Sequence, residues 1–546
     1  MLLQLGKKKK QQLVTAITSA EKSQGYLSAP TSPLLQYSRY HALTLRQSYE
    51  GIQVFGGTGS GKTSGSGAHI ARSMLHAGYG GLVLCAKEEE MDVWIEHAQA
   101  AGRENDLLRF GQDSPARFNF ISYELAKGAS PFDVAEVIEN ARDALDPAAG
   151  GAGGDGKYWR DAGKDVLVNA MILLYGSTGN CVLSELNRII ATAPQSSEEA
   201  MDSEWQLSSP MFAHYASAED LNGKYVDPRD VDTAADYFIY QFARLGDRTR
   251  SSIVQNLMTT LNRFNYGMLR ELFTEETNLV PELCQEGSII VIDLPAKQGD
   301  DNRIANHIWK YAFQRAASRK ADKHSRPMFL WADESQYFLN EKDVLFQSTA
   351  RSAAVSTVYL TQSIDMYKHA IGGTERAMTT TNAMLGNLRT HVFHANENVT
   401  TNHYAAEMIG KELVWRKNKS HGRNASKSKN QSWSSSSNKS LAIAKMRGGG
   451  HTSNEQGGSW SSNWSKSETN SSSAGSTSGS GTGSTYGEAE NFGESEQKDY
   501  RVEPDVFANQ LRSGNVDDDF LVDAIVVSPE IPEPYLFVTF DQRHPS

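Results

Sequence analysis

The stretch Gly56-Gly-Thr-Gly-Ser-Gly-Lys-Thr63 decides the fold of this chain. It fits the pattern G-x-x-x-x-G-K-[ST], in which a glycine-rich loop folds around phosphate groups with its N–H groups pointing inward. In this pattern the lysine, Lys62, reaches the β- and γ-phosphates, and the hydroxyl of Thr63 binds Mg²⁺. We therefore predict an ATP·Mg²⁺ site in which Lys62 also acts in catalysis. The predicted nucleotide-binding residues are Gly56, Gly57, Thr58, Gly59, Ser60, Gly61, Lys62 and Thr63.

The surroundings of this loop meet the condition that the pattern sets. The strand-like run Ile52 to Phe55 precedes the loop, and residues 62–78 have a helical pattern. A helix that begins near Lys62 would direct its positive N-terminal end at the phosphates. The strand, loop and helix together predict an α/β protein with a P-loop NTPase core.

A second stretch has similar spacing but a different setting. Residues 151–158 read GAGGDGKY, so a tyrosine stands where the pattern requires serine or threonine. The stretch also follows a helical run, residues 141–145, instead of a strand. Because the motif needs a strand on one side and a helix on the other, we predict that residues 148–157 form a flexible loop.

An acidic pair ends an apolar strand further along the chain. Met328 to Ala332 is followed by Asp333 and Glu334. P-loop enzymes need one carboxylate in the Mg²⁺ shell and a second group that activates the attacking water. We predict that Asp333 binds the metal together with Thr63, and that Glu334 is the general base. Asp293 also ends an apolar run, but no second carboxylate follows it, and we predict a strand-end role for it.

Two more residues fit an ATP-driven motor. Gln362 follows the strand candidate 356–360, where its amide would orient the water or contact the γ-phosphate. Arg351 comes shortly after the acidic pair and would reach the phosphate of a neighbouring subunit. We predict catalytic roles for both. A surface or helix-packing role remains the alternative for each.

The composition and the hydrophobic pattern of the sequence change several times along the chain, and these changes predict its domains. Long amphipathic segments replace the α/β pattern after residue 127, and Ser, Gly and Asn dominate after residue 415. The predicted parts are a basic N-terminal helix (1–27), the first part of the motor domain (28–127), an inserted all-α domain (128–285), the second part of the motor domain (286–415), a disordered low-complexity segment (416–498) and C-terminal strands that complete the motor domain (499–546).

Composition limits the partners and the location of the protein. The formal net charge is −11, whereas proteins that bind nucleic acid over a whole surface are usually basic. If the protein handles DNA or RNA, the contact must therefore be local, as in a basic channel through a ring. The three cysteines show no zinc or disulfide spacing, and no apolar run reaches the roughly 18 residues of a membrane span. We expect a cytoplasmic protein, with peripheral docking at the inner face of the membrane left open.

Several stretches resemble the conjugative type IV coupling proteins of the TraG and TraD class, within the RecA-like DNA-pumping ATPases that include HerA and FtsK. The similarity covers roughly residues 50–415 and the end of the chain. The matching stretches are GGTGSGKT (56–63), LVLCAKEEE (82–90), YWRDAGKDVL (158–167), RTRSSIVQNLMTTL (248–261), FLWADESQYF (329–338), RSAAVSTVYLTQS (351–363) and NLRTHVFHANENVTTNHYAAEMIG (387–410).

The resemblance implies that the P-loop core is RecA-like and forms a homo-hexameric ring around a DNA channel. It implies ATP-driven movement of DNA, with single strands favoured, and recruitment of a relaxase-type protein substrate to type IV secretion components. Arg351 falls where the family has its trans-acting arginine, and Gln362 falls on the glutamine motif of the family. Members of the family usually begin with membrane-spanning helices, which this sequence does not show.

Two other functions stay open at this point. One is a soluble ATPase of the HerA or FtsK kind that processes or packages DNA, which the lack of a membrane-spanning run favours. The other is a nucleotide-switched scaffold, in which segment 416–498 binds partners. A scaffold would tolerate loss of the Glu334 carboxylate in its cellular role, whereas a motor would not.

Overall fold

The computed structural model describes residues 26–143, 155–274, 276–319, 326–340, 342–372, 375–430 and 481–544. The predicted N-terminal helix therefore lies outside the described residues, apart from positions 26 and 27. Two compact units make up the chain, one formed by residues 1–405 with 504–546 and the other by residues 406–503.

A large sheet is the centre of the first unit. Its strands are β3 (Ile52–Phe55), β4 (Gly80–Leu84), β5 (Leu107–Phe110), β6 (Ile289–Ile292), β7 (Met328–Ala332), β8 (Val355–Thr361), β9 (Thr390–Phe393), β12 (Leu521–Val527) and β13 (Leu536–Asp541), and a separate hairpin pairs β1 (Pro33–Gln36) with β2 (Ala42–Thr44). Residues of β3, β4, β6, β7 and β8 are buried on both faces, which accounts for their nearly continuous apolar sequences.

The strand order brings distant parts of the sequence together. The order is β13-β12-β9-β3-β8-β7-β4-β6-β5, and every pair from β9 to β5 is parallel. The carboxyl ends of these parallel strands consequently share one edge, where α/β folds bind their ligands. The loop after β3, the acidic pair after β7 and Gln362 after β8 all lie along that edge. The predicted α/β, RecA-like architecture is confirmed.

Helices surround the sheet and fill the interval between β5 and β6. They are α1 (Leu45–Tyr49), α2 (Ala68–His76), α3 (Glu90–Ala100), α4 (Phe120–Ala126), α5 (Pro131–Asp143), α6 (Asp155–Thr178), α7 (Leu183–Ala191), α8 (Ser197–Ala200), α9 (Ser203–Ser208), α10 (Pro210–Asp220), α11 (Pro228–Asp236), α12 (Asp247–Leu261), α13 (Gly267–Phe273), α14 (Leu283–Glu286), α15 (Asp300–Ser318), α16 (Lys342–Ala350), α17 (Ile364–Ala370), α18 (Glu375–Asn387), α19 (Val399–Ile409) and α20 (Pro504–Asn509).

The segment between β5 and β6 contains only helices and turns among its described residues, as its amphipathic pattern predicts. The second glycine-rich stretch falls partly outside the described residues. Its last three residues, 155–157, begin α6 and do not form a loop. Each residue added to an existing helix forms one more backbone hydrogen bond, so the long helix that follows favours the helical state here. No strand precedes the stretch within the described residues, so it lacks the setting of a phosphate-binding loop.

A long β-ribbon forms the main part of the second unit. Strand β10 (Lys411–Asn430) pairs antiparallel with β11 (Gly481–Tyr500) through twenty residues of each strand. The two ends of the segment predicted to be disordered, 416–430 and 481–498, are thus strands, and the rest of that segment lies outside the described residues. Backbone hydrogen bonds between strands need no apolar side chains, so a composition that cannot build a core can still form a ribbon.

A buried ion pair holds α15 against α16. The Lys310 ammonium donates to the Asp343 carboxylate at 2.6 Å and also to the carbonyl of Phe338. Gln314 Nε2 and the N–H of Asn340 donate to the same carboxylate, each at 2.8 Å. Burial lowers the pKa of Lys310, and the charge of Asp343 opposes that effect.

Replacing Asp343 with alanine is expected to lower the free energy of unfolding by about 3–5 kcal/mol, because it leaves a buried ammonium and two other donors without their acceptor. Chemical denaturation of wild type and variant would measure the change. The exposed Asp220 at the end of α10 provides the control, and its replacement with alanine should change stability by about 0.5 kcal/mol or less. Equal stability of the Asp343 variant and wild type would contradict the prediction.

Candidate nucleotide-binding site

The loop after β3 forms an open cradle. Gly59 and Gly61 adopt positive φ angles of 72° and 78°, a left-handed conformation that favours glycine. A side chain at Gly61 would also strike Val522 of β12, so this glycine is required for space as well. The N–H of Gly56 donates to the carbonyl of Thr361 at 3.2 Å and ties the loop to β8.

The helix that follows the loop begins with an irregular turn. Thr63–Gly67 form one π-helical turn, in which Gly65 has non-helical angles, and α2 continues from Ala68. The sequence predicts helix over 62–78, and the structure agrees except for this turn. Gly67 packs against the carbonyl of Lys62, where a side chain would not fit. The close packing holds the start of the helix against the loop.

Thr63, in the segment after β3, contacts Asp333, which follows β7; strand β8 lies between these two strands in the sheet. The Thr63 hydroxyl donates to Asp333 Oδ2 at 2.7 Å, although 270 residues separate the two in sequence. Asp333 is 2% exposed, and its other oxygen accepts the N–H of Glu334 at 2.8 Å. A hydroxyl and a carboxylate at this distance match the pair of protein oxygens that P-loop enzymes direct at Mg²⁺. The two predicted metal-binding residues are therefore adjacent.

Glu334 lies in an unusual backbone conformation among cations. Its φ of 48° and ψ of 47° are left-handed, which costs a residue with a side chain roughly 1–3 kcal/mol and is most often found at functional sites. Lys297 Nζ is 3.4 Å and Lys87 Nζ is 3.5 Å from its Oε1. The strained residue is thus held by charges from the ends of two other strands, β4 and β6.

The charge state of Glu334 follows from these neighbours. Burial by itself raises the pKa of the carboxyl group. The 2.8 Å hydrogen bond from Gln336 Nε2 and the charges of Lys62, Lys297 and Lys87 outweigh that effect and lower the pKa to about 2. Glu334 is consequently a carboxylate throughout the physiological range.

Gln362 directs its amide at the same carboxylate. Its Nε2 is 3.3 Å from Glu334 Oε1, and its backbone carbonyl accepts a 2.7 Å hydrogen bond from Asn396. Ser363 caps α17 by accepting from the N–H of Met366, so the chain turns away directly after Gln362. The turn keeps the amide at the sheet edge, beside Glu334.

Residues that the sequence reasoning missed complete this cluster. Besides Lys87 and Lys297, the carboxylate of Glu90 accepts the N–H groups of Ala86 and Lys87, at 3.2 and 3.1 Å. Burial and the nearby Asp333 raise the pKa of Glu90 well above its usual range, while those two N–H groups oppose the rise. The available signal for Lys87 was its position two residues after the apolar run 81–85.

Arg351 is placed elsewhere. It precedes β8, so it lies at the amino edge of the parallel strands, opposite the loop. Its guanidinium is 59% exposed and pairs with Glu50, which precedes β3, at 3.1 Å. Within one chain the structure thus brings together Lys62, Thr63, Asp333, Glu334 and Gln362, but not Arg351.

Other polar groups on the sheet edge have structural partners. Asp293 accepts the guanidinium of Arg109 at 2.5 Å, in keeping with its predicted strand-end role. His394 pairs with the Ser66 hydroxyl at 2.7 Å and is buried. In the described part of the chain no group of three or more His, Cys, Asp or Glu residues is arranged to hold a metal ion.

The loop has the features that a phosphate group requires. Ser60 Oγ is buried, and no described residue makes a hydrogen bond to it. Lys62 is 7% exposed and has no described carboxylate within ion-pairing distance. Free space surrounds Gly59, where an added side chain would meet no atom within 4 Å. The residues present therefore fit a bound nucleotide, whose phosphates would supply the missing acceptors.

No single described helix is long and apolar enough to cross a membrane. One bent pair of helices, Tyr158–Thr178 with Leu183–Ala191, reaches the required length and composition when the two are taken together.

Comparisons with known proteins agree on one group of relatives. Residues 327–447 match the family model described as the TraM recognition site of TraD and TraG. The unbound monoclinic form of the bacterial conjugative coupling protein TrwBdeltaN70 matches with a TM-score of 0.51 and 12% identity, over 91% of this chain and 87% of that chain. Its trigonal form, in complex with sulphate, matches with a TM-score of 0.52 and 12% identity, over 95% and 92% of the two chains.

Other comparisons add less. TrwB in complex with ADP and Mg²⁺ and with a non-hydrolysable ATP analogue matches with TM-scores of 0.43 and 0.46, which are too low to support conclusions about this chain. The comparison with curated proteins gives no match. The resemblance to the TraG and TraD class of coupling proteins is confirmed, in sequence over residues 327–447 and in fold over most of the chain.

Proposed function

We propose that this chain, which has the fold of a conjugative coupling protein, is an ATP-driven DNA translocase. It moves DNA, or brings a DNA–protein substrate, to a type IV secretion channel. The observation that carries the proposal is the 2.7 Å contact between Thr63 and Asp333, with Glu334 and Gln362 beside it at one sheet edge. A metal pair, a base and a water-positioning amide are the parts that phosphoryl transfer to water needs.

Nucleotide binding is the first step in this proposal. Residues 56–63 hold the phosphates through backbone N–H groups, the Ser60 hydroxyl and the Lys62 ammonium. Thr63 and Asp333 would hold Mg²⁺, which would neutralise charge on the phosphate oxygens. The contact between their side chains keeps both oxygens in place before the metal arrives. Because the two side chains are already ordered, less conformational entropy is lost when the metal and the nucleotide bind.

Water activation is the second step. Glu334 is ionised, so it can accept a proton from a water molecule placed between its carboxylate and the Gln362 amide. The lysines that hold this carboxylate fix its position, and they also lower its basicity. We infer that Glu334 orients the water and receives its proton late, as the bond from the water oxygen to the γ-phosphorus forms and the bond from that phosphorus to the leaving ADP oxygen breaks.

The placement of Arg351 supports a ring. An exposed guanidinium at the opposite edge of the sheet has no route to the nucleotide of its own chain. A cyclic arrangement would direct it at the site of a neighbour, where a trans-acting arginine stabilises the charge that develops in the transition state. We accordingly propose a homo-hexamer with DNA in its channel. The TraM recognition description of residues 327–447 supports partners among conjugation proteins, with relaxase-type substrates and secretion components as the proposed ones.

The decisive experiment is ATP hydrolysis by the purified protein with single-stranded, double-stranded and no DNA. A several-fold stimulation by DNA is expected, with single strands more effective. A hydrolysis rate that neither single-stranded nor double-stranded DNA changes would overturn the translocase proposal. Recovery of a nuclease with the protein from cells, without any secretion component, would instead favour the DNA-processing function of HerA-like and FtsK-like ATPases.

Removing the lysines around Glu334 is expected to change the pH dependence of hydrolysis. Lys87→Met with Lys297→Met takes away cations that favour the charged carboxylate, so the pKa of Glu334 rises from about 2. The acid limb of kcat/KM, which reports groups of the free enzyme, should move upward by about one pH unit or more.

The matched control is Lys127→Met, which removes a lysine paired with Glu282 far along the chain from the site. Its pH profile should coincide with that of wild type. If the double variant also coincides with wild type, then neither lysine influences the group that limits hydrolysis in acid.

A further inference from the structure

The β10–β11 ribbon has an ordered distribution of charge. In its register Lys417 is opposite Glu494, and Arg423 is opposite Glu488. Residues directly opposite one another in an antiparallel pair share a face of the ribbon. In these two pairs, basic positions of one strand are in register with acidic positions of the other. A slip of one residue would place these charges on opposite faces, so the sequence specifies this register.

The two faces of the ribbon differ. Odd-numbered positions of β10 include the lysines, arginine and histidine between residues 417 and 429, and they follow Leu413 and Trp415, which are 58% and 63% exposed. Even-numbered positions from 418 onward are Asn, Ser and Gly, and their partners on β11 are Gly, Ala, Asn and Thr. From 417 to 429 the odd-numbered positions of β10, apart from Ala425, are basic or histidine and alternate with small neutral residues, a period of two that is typical of a β-strand with distinct faces.

Charge also separates between the two strands. Strand β10 contains seven Lys and Arg residues and one Glu, whereas β11 contains five acidic residues and one Lys. Each strand has only one strand neighbour within the described residues, so each leaves an outer edge of backbone N–H and C=O groups. Twenty residues is far longer than the short edges that proteins usually leave unpaired. An edge of this length is a template for another strand.

We propose that the ribbons of neighbouring copies pair edge to edge, the basic β10 of one copy against the acidic β11 of the next. Copies related by cyclic symmetry point in the same direction along the ring axis, and their interfaces join one patch to a different patch. The outer edge of β10 in one copy then meets the outer edge of β11 in its neighbour with antiparallel strand directions. The pattern of the ribbon itself is thereby repeated at every junction, and a closed crown of strands leaves no free edge.

A second copy of this chain fits the ribbon better than nucleic acid does. Phosphates would be attracted to β10 but repelled by the five acidic residues of β11, which is paired with it throughout. DNA also offers no matching row of backbone donors and acceptors for the two edges. The exposed Leu413 and Trp415 at the base of the ribbon are apolar groups that a neighbouring strand would cover. This inference goes beyond the proposed function and does not depend on the nucleotide site.

The test uses two reciprocal charge-reversed forms of the full chain. The first carries Lys417→Glu, Lys419→Glu and Arg423→Glu, which makes stretch 417–423 of β10 acidic opposite the acidic stretch 488–494 of β11. The second carries Glu488→Lys, Glu490→Lys and Glu494→Lys, which makes both strands basic. Self-association of each is measured by analytical ultracentrifugation, alone and in an equimolar mixture. A control form with Lys127→Glu, Lys224→Glu and Lys368→Glu changes the net charge by the same amount as the first form, away from the ribbon.

Each reversed form alone is expected to associate on the order of tenfold more weakly than wild type, or weaker still, because like charges oppose each other at every junction. The mixture should recover mixed assemblies, since acidic ribbons then alternate with basic ones. The control form should associate like wild type. Weak association that the mixture does not restore would overturn the proposal, because the charges would then act only within one ribbon. Unchanged association of both reversed forms, or a wild type that stays monomeric, would also overturn it.

Binding of a fluorescent ATP analogue, measured on the same samples, separates this inference from the proposed function. Both reversed forms should bind the analogue as wild type does, because none of the changed residues belongs to the nucleotide site. Loss of analogue binding in wild type would contradict the proposed function and leave the ribbon inference standing.

Discussion

Replacing Lys62 with alanine is expected to lower the rate of ATP hydrolysis by at least about 100-fold, and to weaken nucleotide binding as well. Lys62 is 7% exposed and free of any described ion-pair partner, so its charge is available to phosphates. The left-handed turn at Gly61 sets the direction from which Lys62 enters the site. No other residue of the loop carries a positive charge. Steady-state hydrolysis and binding of a fluorescent ATP analogue would measure the two effects.

The chain offers a matched control in its second glycine-rich stretch. Lys157→Ala removes a lysine with the same G-x-x-x-x-G-K spacing, but one at the start of α6, with no strand before it among the described residues. Hydrolysis should stay within about twofold of wild type, since the motif requires its strand–loop–helix setting. If the Lys157 variant loses as much activity as the Lys62 variant, the prediction that only the loop after β3 binds the phosphates is contradicted.

The elements of the motor core could be predicted because their apolar runs are unambiguous. Met328–Ala332 and Ile52–Phe55 are strands with the predicted bounds, and both are buried between helices, so burial and sequence pattern agree. The acidic pair and the glutamine could be placed because each directly follows a strand. All carboxyl ends of parallel strands share one edge, so residues in that position come together whatever the strand order.

The cations around Glu334 depend on strand order, which the sequence pattern does not specify. Lys87 follows β4 and Lys297 follows the loop after β6, and only the order β7-β4-β6 brings both lysines to Glu334. The left-handed backbone conformation of Glu334 could not be predicted from the sequence either, because glutamate has no special preference for it. Its pKa therefore follows from the tertiary structure and could not be predicted from the local sequence.

The ribbon shows a different limit of composition-based reasoning. A segment rich in Ser, Gly and Asn has too few apolar residues to form a core, and that argument predicts disorder. It does not consider pairing between two distant parts of the same segment. The basic first half and the acidic second half, both evident in the sequence, become a cross-strand pattern only when Lys417 and Glu494 are aligned.

Replacing Glu334 with glutamine is expected to lower the hydrolysis rate by about 100- to 10,000-fold while leaving nucleotide binding nearly unchanged. Glutamine keeps the size of the side chain and can still contact Gln362, but it cannot accept a proton from water. Thr63 and Asp333, which hold the metal, are not altered. The variant should therefore bind ATP and release phosphate very slowly, which single-turnover measurements would show.

Two comparisons make this prediction specific to the carboxylate. Glu104→Gln, at an exposed position in a 3₁₀ turn before β5, should hydrolyse ATP like wild type. The alternative of a nucleotide-switched scaffold also gives a distinct result, because a switch needs binding and not turnover. If Glu334→Gln binds ATP, fails to hydrolyse it and still supports the cellular role in full, the scaffold function is favoured. If the variant binds ATP but loses both hydrolysis and the cellular role, then that role depends on the energy of ATP cleavage, as expected for a motor.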